Sequence, residues 1–282
     1  MTDTASVPTK PRVRVPFWDN ARFACIVLVV VGHAIQRQTA ESDNALSLYL
    51  FIYAFHMPAF AIVSGFFSKA TPPGVRQMRR VLTDIVLPYV IMQTIWSLVQ
   101  WIVEGKNAFN PSEPHWTLWF LLALAIFRAV LPYLALLRWP LLWAVVASVG
   151  VGYLANVDST FSLSRAIGIL PFFVLGWRLR SWGVVDRWRA FPSGAVWGVR
   201  FVSLAVLATW LAVVVVNIQP FRAFDLRFWF FYDDSYQALG EPEWWAGLLR
   251  LGLIAFAVLL TAAFFALIPR RRTFFTEFGQ AT

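Results

Sequence analysis

Residues 18–37 read WDNARFACIVLVVVGHAIQR, and this stretch decides the fold. From Ala24 to Gly32 it carries no charged or amide side chain, and ~20 mostly apolar residues are what a helix needs to cross a bilayer. Its polar groups are arranged rather than scattered. At ~100° per residue, Arg22 and His33 lie about 20° apart around the axis, with Asp19 about 60° from Arg22. All three therefore share one face. Eleven residues of rise separate Arg22 from His33 by roughly 16 Å, so a straight helix holds them at two depths. Ionisable groups inside a span are costly and turn toward protein. The spacing predicts Arg22 near the inner surface and His33 well inside the bilayer.

The rest of the chain is of the same kind. Of 282 residues, 59% are hydrophobic and 14% charged, against roughly 45–50% and 25% in soluble domains. One core of this size cannot bury that excess, so lipid must cover it. Seven further segments are long and apolar: 46–67, 83–103, 117–137, 139–155, 163–180, 199–218 and 247–268. The expectation is an all-α, polytopic transmembrane bundle of about eight spans. The fifth and sixth are short and carry Gly150, Gly152 and Pro171.

A net charge of +9 would suit nucleic acid, but the basic residues fall between spans. With the N-terminus inside, alternate loops collect 16 of them on the inner side: Lys10, Arg12, Arg14, Lys69, Arg76, Arg79, Arg80, Arg138, Arg178, Arg180, Arg187, Arg189, Arg200 and Arg270 to Arg272. The outer side holds six: Arg37, Lys106, Arg165, Arg222, Arg227 and Arg250. That bias sets topology, and no nucleic-acid partner is expected. The reading is a multi-pass protein of the cell membrane with a cytoplasmic N-terminus. Residues 1–16 lack the short apolar core and cleavage site of a signal peptide, so the first span is expected to remain as an anchor. The single cysteine, Cys25, allows no internal disulfide.

Three groups of residues could carry chemistry. His56, in Tyr53-Ala54-Phe55-His56-Met57-Pro58, could serve as a second base, or could cap carbonyls freed where Pro58 kinks the helix. Arg76, Arg79 and Arg80 form either a solvated stop-transfer cluster or a cradle for phosphates. The outer loop 219–246 interleaves aromatics with acids, with Trp229, Tyr232, Asp233 and Asp234 at its centre. Flat faces beside hydrogen-bonding carboxylates suit a sugar; an interfacial segment would carry the same residues. His33, His56 and His115 are too dispersed for a metal site, so no metal is expected.

Arg22, ten residues and His33, preceded by Trp18-Asp19-Asn20, resemble the first-span signature of the membrane-bound acyltransferase 3 family. Phe55-His56-Met57-Pro58 with Ser64-Gly65, Leu118-Trp119-Phe120-Leu121, and Leu170-Pro171-Phe172-Phe173-Val174-Leu175-Gly176-Trp177 are similar to its fucose 4-O-acetylase-like branch. The resemblance covers most of residues 16–180. It implies an O-acyltransferase that takes an acetyl or short acyl group from acetyl-CoA or another acyl-CoA to a hydroxyl of a sugar, glycan or glycoside. His33 would then be catalytic, with Arg22 its partner in the motif and Asp19 and His56 beside them. Arg76, Arg79, Arg80 and Arg22 would meet the CoA phosphates.

The organisation expected on this basis is a cytoplasmic tail, 1–16, a transmembrane acyltransferase-like unit, 17–268, and a cytoplasmic end, 269–282. Proteins of this kind usually continue for further spans, and Arg270-Arg271-Arg272 followed by Thr273-Phe274-Phe275 looks like a connection into one. The resemblance thus implies a chain lacking its last spans. The chemistry is sound in itself, because acyl transfer to a hydroxyl needs a base near neutrality and histidine's pKa of about 6.5 suits it. The competing reading is a transporter or exporter of glycans or small molecules, with the same ionisable residues lining a pathway. It is weakened by the lack of an internal repeat.

Overall fold

The structure is a computed structural model that describes residues 15–72, 74–105, 109–115 and 117–281. Lys10, Arg12, Arg14 and Lys106 lie outside the described residues, as does nearly all of the 1–16 tail.

The fold is all α, with no strand among the described residues. The first half runs α1 (Pro16–Ile35), α2 (Asp43–Tyr53), α3 (His56–Phe66), α4 (Val75–Val81), α5 (Leu87–Glu104) and α6 (Trp119–Leu134). The second half runs α7 (Pro140–Val151), α8 (Leu163–Ser181), α9 (Val184–Ala190), α10 (Ser193–Val216), α11 (Ile218–Ala223), α12 (Leu226–Trp229), α13 (Ala246–Leu267) and α14 (Phe275–Ala281). Local chemistry explains several boundaries. Pro16 starts α1 at a position where a missing N–H costs nothing. Ser42 caps α2 by accepting from the Ala45 N–H at 3.2 Å. A π turn, Leu82–Val86, joins α4 to α5 as one continuous rod.

Among the described residues, six segments are long and apolar enough to cross a membrane: 16–40, 43–66, 78–104, 160–181, 193–216 and 246–267. Two of the eight expected spans are shorter helices, α6 at 16 residues and α7 at 12. Pro132 lies in the last turn of α6, and Gly150 and Gly152 flank the end of α7. The sixth segment, by contrast, is full length despite Pro171. The expected second span is two helices, broken at Ala54 and Phe55. Pro58 has no N–H to offer the Ala54 carbonyl and its ring collides with that position, so the break falls one turn upstream of the proline. Much of α5 and α10 exposes large apolar side chains, including Ile102, Phe201, Val202 and Val216. Such a surface is matched to lipid.

The helices alternate in direction, which sorts the charges. At one end, the basic end, α1 and α10 begin and α3, α8 and α13 finish. Arg200 donates to Ala266 O and Ile268 O at 3.2 and 3.3 Å, and Arg270 to Trp188 O at 2.8 Å. At the far end, Arg222 bonds Asp43 at 2.7 Å and the Thr39 carbonyl at 2.9 Å.

The centre is held by α3 crossing α8 with backbones in contact. A Cβ built on Gly65 would stand 1.9 Å from the Phe173 carbonyl oxygen, and one on Gly176 would stand 2.0 Å from that of Ile62. Only glycine fits at either point.

Residues 269–281, expected to lead into another span, fold back onto α1. The hub is Asn20, which is buried. Its Nδ2 donates to Pro269 O and Arg271 O at 2.9 and 3.0 Å, and its Oδ1 accepts from the Thr273 and Thr276 hydroxyls at 3.1 and 2.7 Å. Phe275 stacks on Phe23 at 5.1 Å. Asn20→Ala removes four hydrogen bonds and strands buried partners, so a loss of about 2–4 kcal/mol is expected. Thermal melts in detergent measure it; an unchanged midpoint would deny the hub any role in stability.

Candidate active site

Two polar cavities lie at opposite ends of α1, and they share no lining residue. Each takes one of the two ionisable residues of the Arg22–His33 spacing.

The basic-end cavity, about 540 Å³, is lined by Trp18, Asp19, Arg22, Phe66, Phe67 and Arg180 among others. Its volume falls in the range of small-molecule sites. Arg22 contacts Asp19 at 3.5 Å and lies 4.5 Å over the Phe67 ring. Asp19 is buried, and its Oδ2 has no hydrogen-bond partner. Arg180, at the end of α8, is exposed and reaches the Phe66 carbonyl at 3.5 Å. Arg76, Arg79 and Arg80 do not line this cavity; they are exposed on α4. Arg180 is the second guanidinium at Arg22, a residue sequence reasoning counted only as a topology charge. Nothing local to α8 marks it, because α8 meets α1 and α3 only through the fold.

The far-end cavity, about 180 Å³, gathers His33, Gln36, Tyr53, His56, Trp119 and Arg165 with their neighbours. His33 is two residues from the end of α1. A 3-10 turn, Gln36–Ala40, carries the same apolar segment on to residue 40. The His33 Nδ1 lies 3.2 Å from Gln36 Oε1. His56 enters from the start of α3 with its ring fully enclosed. Its Nδ1 lies 3.1 Å from the Ile52 carbonyl. A carbonyl only accepts, so Nδ1 carries the proton and the neutral ring keeps its lone pair on Nε2. Of the two roles expected as alternatives, the structure shows the cap on a carbonyl at the helix break; His56 also lines the cavity. Tyr53 packs edge-on to His56 at 4.4 Å, and stacks on Tyr49 at 3.7 Å.

Loop 219–246 corrects the expected sugar platform. Trp229 and Tyr232 are core residues, both fully buried. Trp229 is sandwiched in stacked arrangements with Phe224 at 5.7 Å and Tyr236 at 6.0 Å. Tyr232 packs edge-on to Phe172 at 5.6 Å. The reason is area: flat rings bury far more apolar surface inside the fold than against a sugar. Beneath them lies Arg250, also missed from sequence, at 1% exposure. It donates to the Asp234 carbonyl at 3.0 Å and the Ser148 carbonyl at 3.4 Å, and lies 4.9 Å over the Tyr236 ring. Arg250 is a clamp for the loop. Asp233 pairs with Arg165. Burial, and then the adjoining Asp233 carboxylate, raise the Asp234 carboxyl above its ordinary range. His115 lies 3.3 Å from Ser97 Oγ, away from both cavities. Among the described residues, no group of three His, Cys, Asp or Glu could hold a metal ion.

With that geometry in view, similarity to known proteins is informative. The family described as an acyltransferase domain matches residues 15–282. The nodulation protein NolL of Mesorhizobium japonicum is 25% identical over 224 residues, which cover 73% of this chain and 55% of the relative. The chain thus spans about half the length of that curated relative. No solved structure matches.

Proposed function

The chain belongs to the acyltransferase domain family, and from that premise we propose that it moves an acetyl or short acyl group from acyl-CoA to a hydroxyl of a sugar, glycan or glycoside. One observation carries this reading: α1 presents Arg22 to one cavity and His33 to another, roughly 16 Å apart along a single helix. An acyl-CoA has the same division, with an anionic nucleotide at one end and a thioester at the other.

Arg22 and Arg180 hold the phosphates, since guanidinium pairs with phosphate through charge-assisted and often bidentate bonds. By the positive-inside bias this end faces the cytoplasm, where acyl-CoA is supplied. The thioester arm reaches along α1 toward His33. Because the two cavities share no wall, the arm must part α1 from its neighbours to connect them. At the far end His33 takes the proton of the acceptor hydroxyl. The oxygen attacks the thioester carbonyl, the new C–O bond forms, the C–S bond breaks, and the proton leaves with the CoA thiol. An acyl-histidine route uses the same residue as nucleophile.

Arg22→Gln and Arg180→Gln are each expected to weaken acetyl-CoA binding about tenfold or more, the worth of a charge-assisted hydrogen bond. Calorimetric titration of purified protein in nanodiscs measures this. Unaltered affinity in both variants would remove the basic-end cavity from the donor site. The function itself is tested by supplying radiolabelled acetyl-CoA with methyl glycosides; absence of both acetyl-CoA binding and transfer would overturn it.

A further inference from the structure

We propose that a vestibule at the far end is the acceptor subsite and that it takes a neutral pyranoside; this rests on the acyltransferase reading above. The vestibule, about 190 Å³, is lined by Glu113, Trp119, Ser159, Ser162, Arg165 and Asp233 together with Pro114. Trp119 and Arg165 also line the cavity of His33 and His56. They form the common wall, so a ligand seated in the vestibule is one side chain from the histidines.

The site is built, and part of it is unsatisfied. Arg165 lies 4.7 Å over the Trp119 ring and 5.4 Å over the Phe231 ring, and it pairs with Oδ2 of Asp233. The other carboxylate oxygen of Asp233 is buried without a hydrogen-bond partner. So is the hydroxyl of Ser162, a residue 2% exposed. Native proteins leave few such groups, and each calls for an explanation. A pyranoside supplies one, its hydroxyls donating to Asp233 Oδ1 and accepting from Ser162 Oγ.

The backbone is strained at the same place. Among the described residues four non-glycines have positive φ; one of them, Ser162 (58°), lines the vestibule, and Phe161 (51°) and Tyr232 (60°) precede lining residues in the chain. Strain of this kind gathers at ligand sites. The charges select the ligand. Arg165 is already neutralised by Asp233, and Glu113 adds an acid at the mouth. An anionic sugar would meet net negative charge, whereas a neutral one would meet hydrogen-bonding groups.

The test uses the full chain in nanodiscs, radiolabelled acetyl-CoA, and methyl glucoside, methyl galactoside and methyl fucoside as acceptors. Asp233→Asn and Ser162→Gly are the variants; glycine accepts the positive φ at 162, so the backbone is preserved while the hydroxyl is lost. Each is expected to raise the acceptor KM about tenfold while leaving acetyl-CoA affinity unchanged. Methyl glucuronide should be at least tenfold poorer than methyl glucoside, and Glu113→Gln, an exposed change, should narrow that gap. Unchanged acceptor KM in both variants, or a preference for the glucuronide, overturns the subsite. Wild-type protein that binds acetyl-CoA but acylates none of the glycosides overturns the pyranoside assignment alone. Absence of both binding and transfer overturns the acyltransferase reading beneath it.

Discussion

His33→Ala is expected to lower acyl transfer about 10²–10⁴-fold, the range for losing a general base, while the protein remains folded. The structure separates the two effects. His33 is half-buried in the last turn of α1, and its hydrogen-bonding neighbour Gln36 is exposed, so truncation leaves a widened cavity and no stranded core group. Acetyl-CoA affinity should be unchanged, because the donor is gripped roughly 16 Å away at Arg22. His56→Ala is a useful contrast. That ring is enclosed and caps the Ile52 carbonyl, so its removal should lower both activity and melting temperature. Transfer rates and detergent melts on the same preparations distinguish the two. A His33→Ala protein with wild-type turnover would end the proposed role of this histidine.

Gly176→Val is expected to have the largest effect on the fold. A Cβ at Gly176 falls on the Ile62 carbonyl, a backbone atom that no rotamer change can move aside. α3 and α8 would have to separate, and α3 carries His56 while α8 carries Arg165. Overpacking typically costs 1–3 kcal/mol when side chains can shift, and a backbone clash should exceed ~3 kcal/mol. Against a total stability of about 5–15 kcal/mol, that is enough to reduce folded yield sharply. Gly65→Val should behave alike, since it meets the Phe173 carbonyl. Gly198→Ala is the control: nothing lies within 4 Å of its added carbon, on α10. Size-exclusion profiles in detergent measure all three. A monodisperse Gly176→Val peak at wild-type yield would mean that the crossing is looser than described.

Much of the bundle was legible because lipid imposes a one-dimensional rule, in which a span is a run of apolar residues of set length. The ends of α1, α8, α10 and α13 fall within a few residues of the expected segments, or further where a helix runs on into a polar end, as α10 does from Ser193. The rule fails where the chain is interrupted for tertiary reasons. The break before His56 could be read from Pro58 only as a kink, and α6 and α7 are shorter than the expected segments because apolar residues continue through their turns. The loop aromatics misled for a related reason. Composition cannot say whether Trp229 faces a sugar, a membrane surface or the core.

Periodicity along one helix determined that Arg22 and His33 share a face at two depths, since a helix has one geometry and the axial distance follows from counting. Their companions were settled only by packing. His56 joins His33, Arg180 joins Arg22, Arg165 meets Asp233 across 68 positions, and Asn20 ties α1 to residues near the other terminus. The physical reason is that hydropathy reports which solvent a side chain prefers, whereas a site depends on which side chains are neighbours. That is set by how helices cross, here through two glycines on α3 and α8 whose missing side chains let the backbones touch.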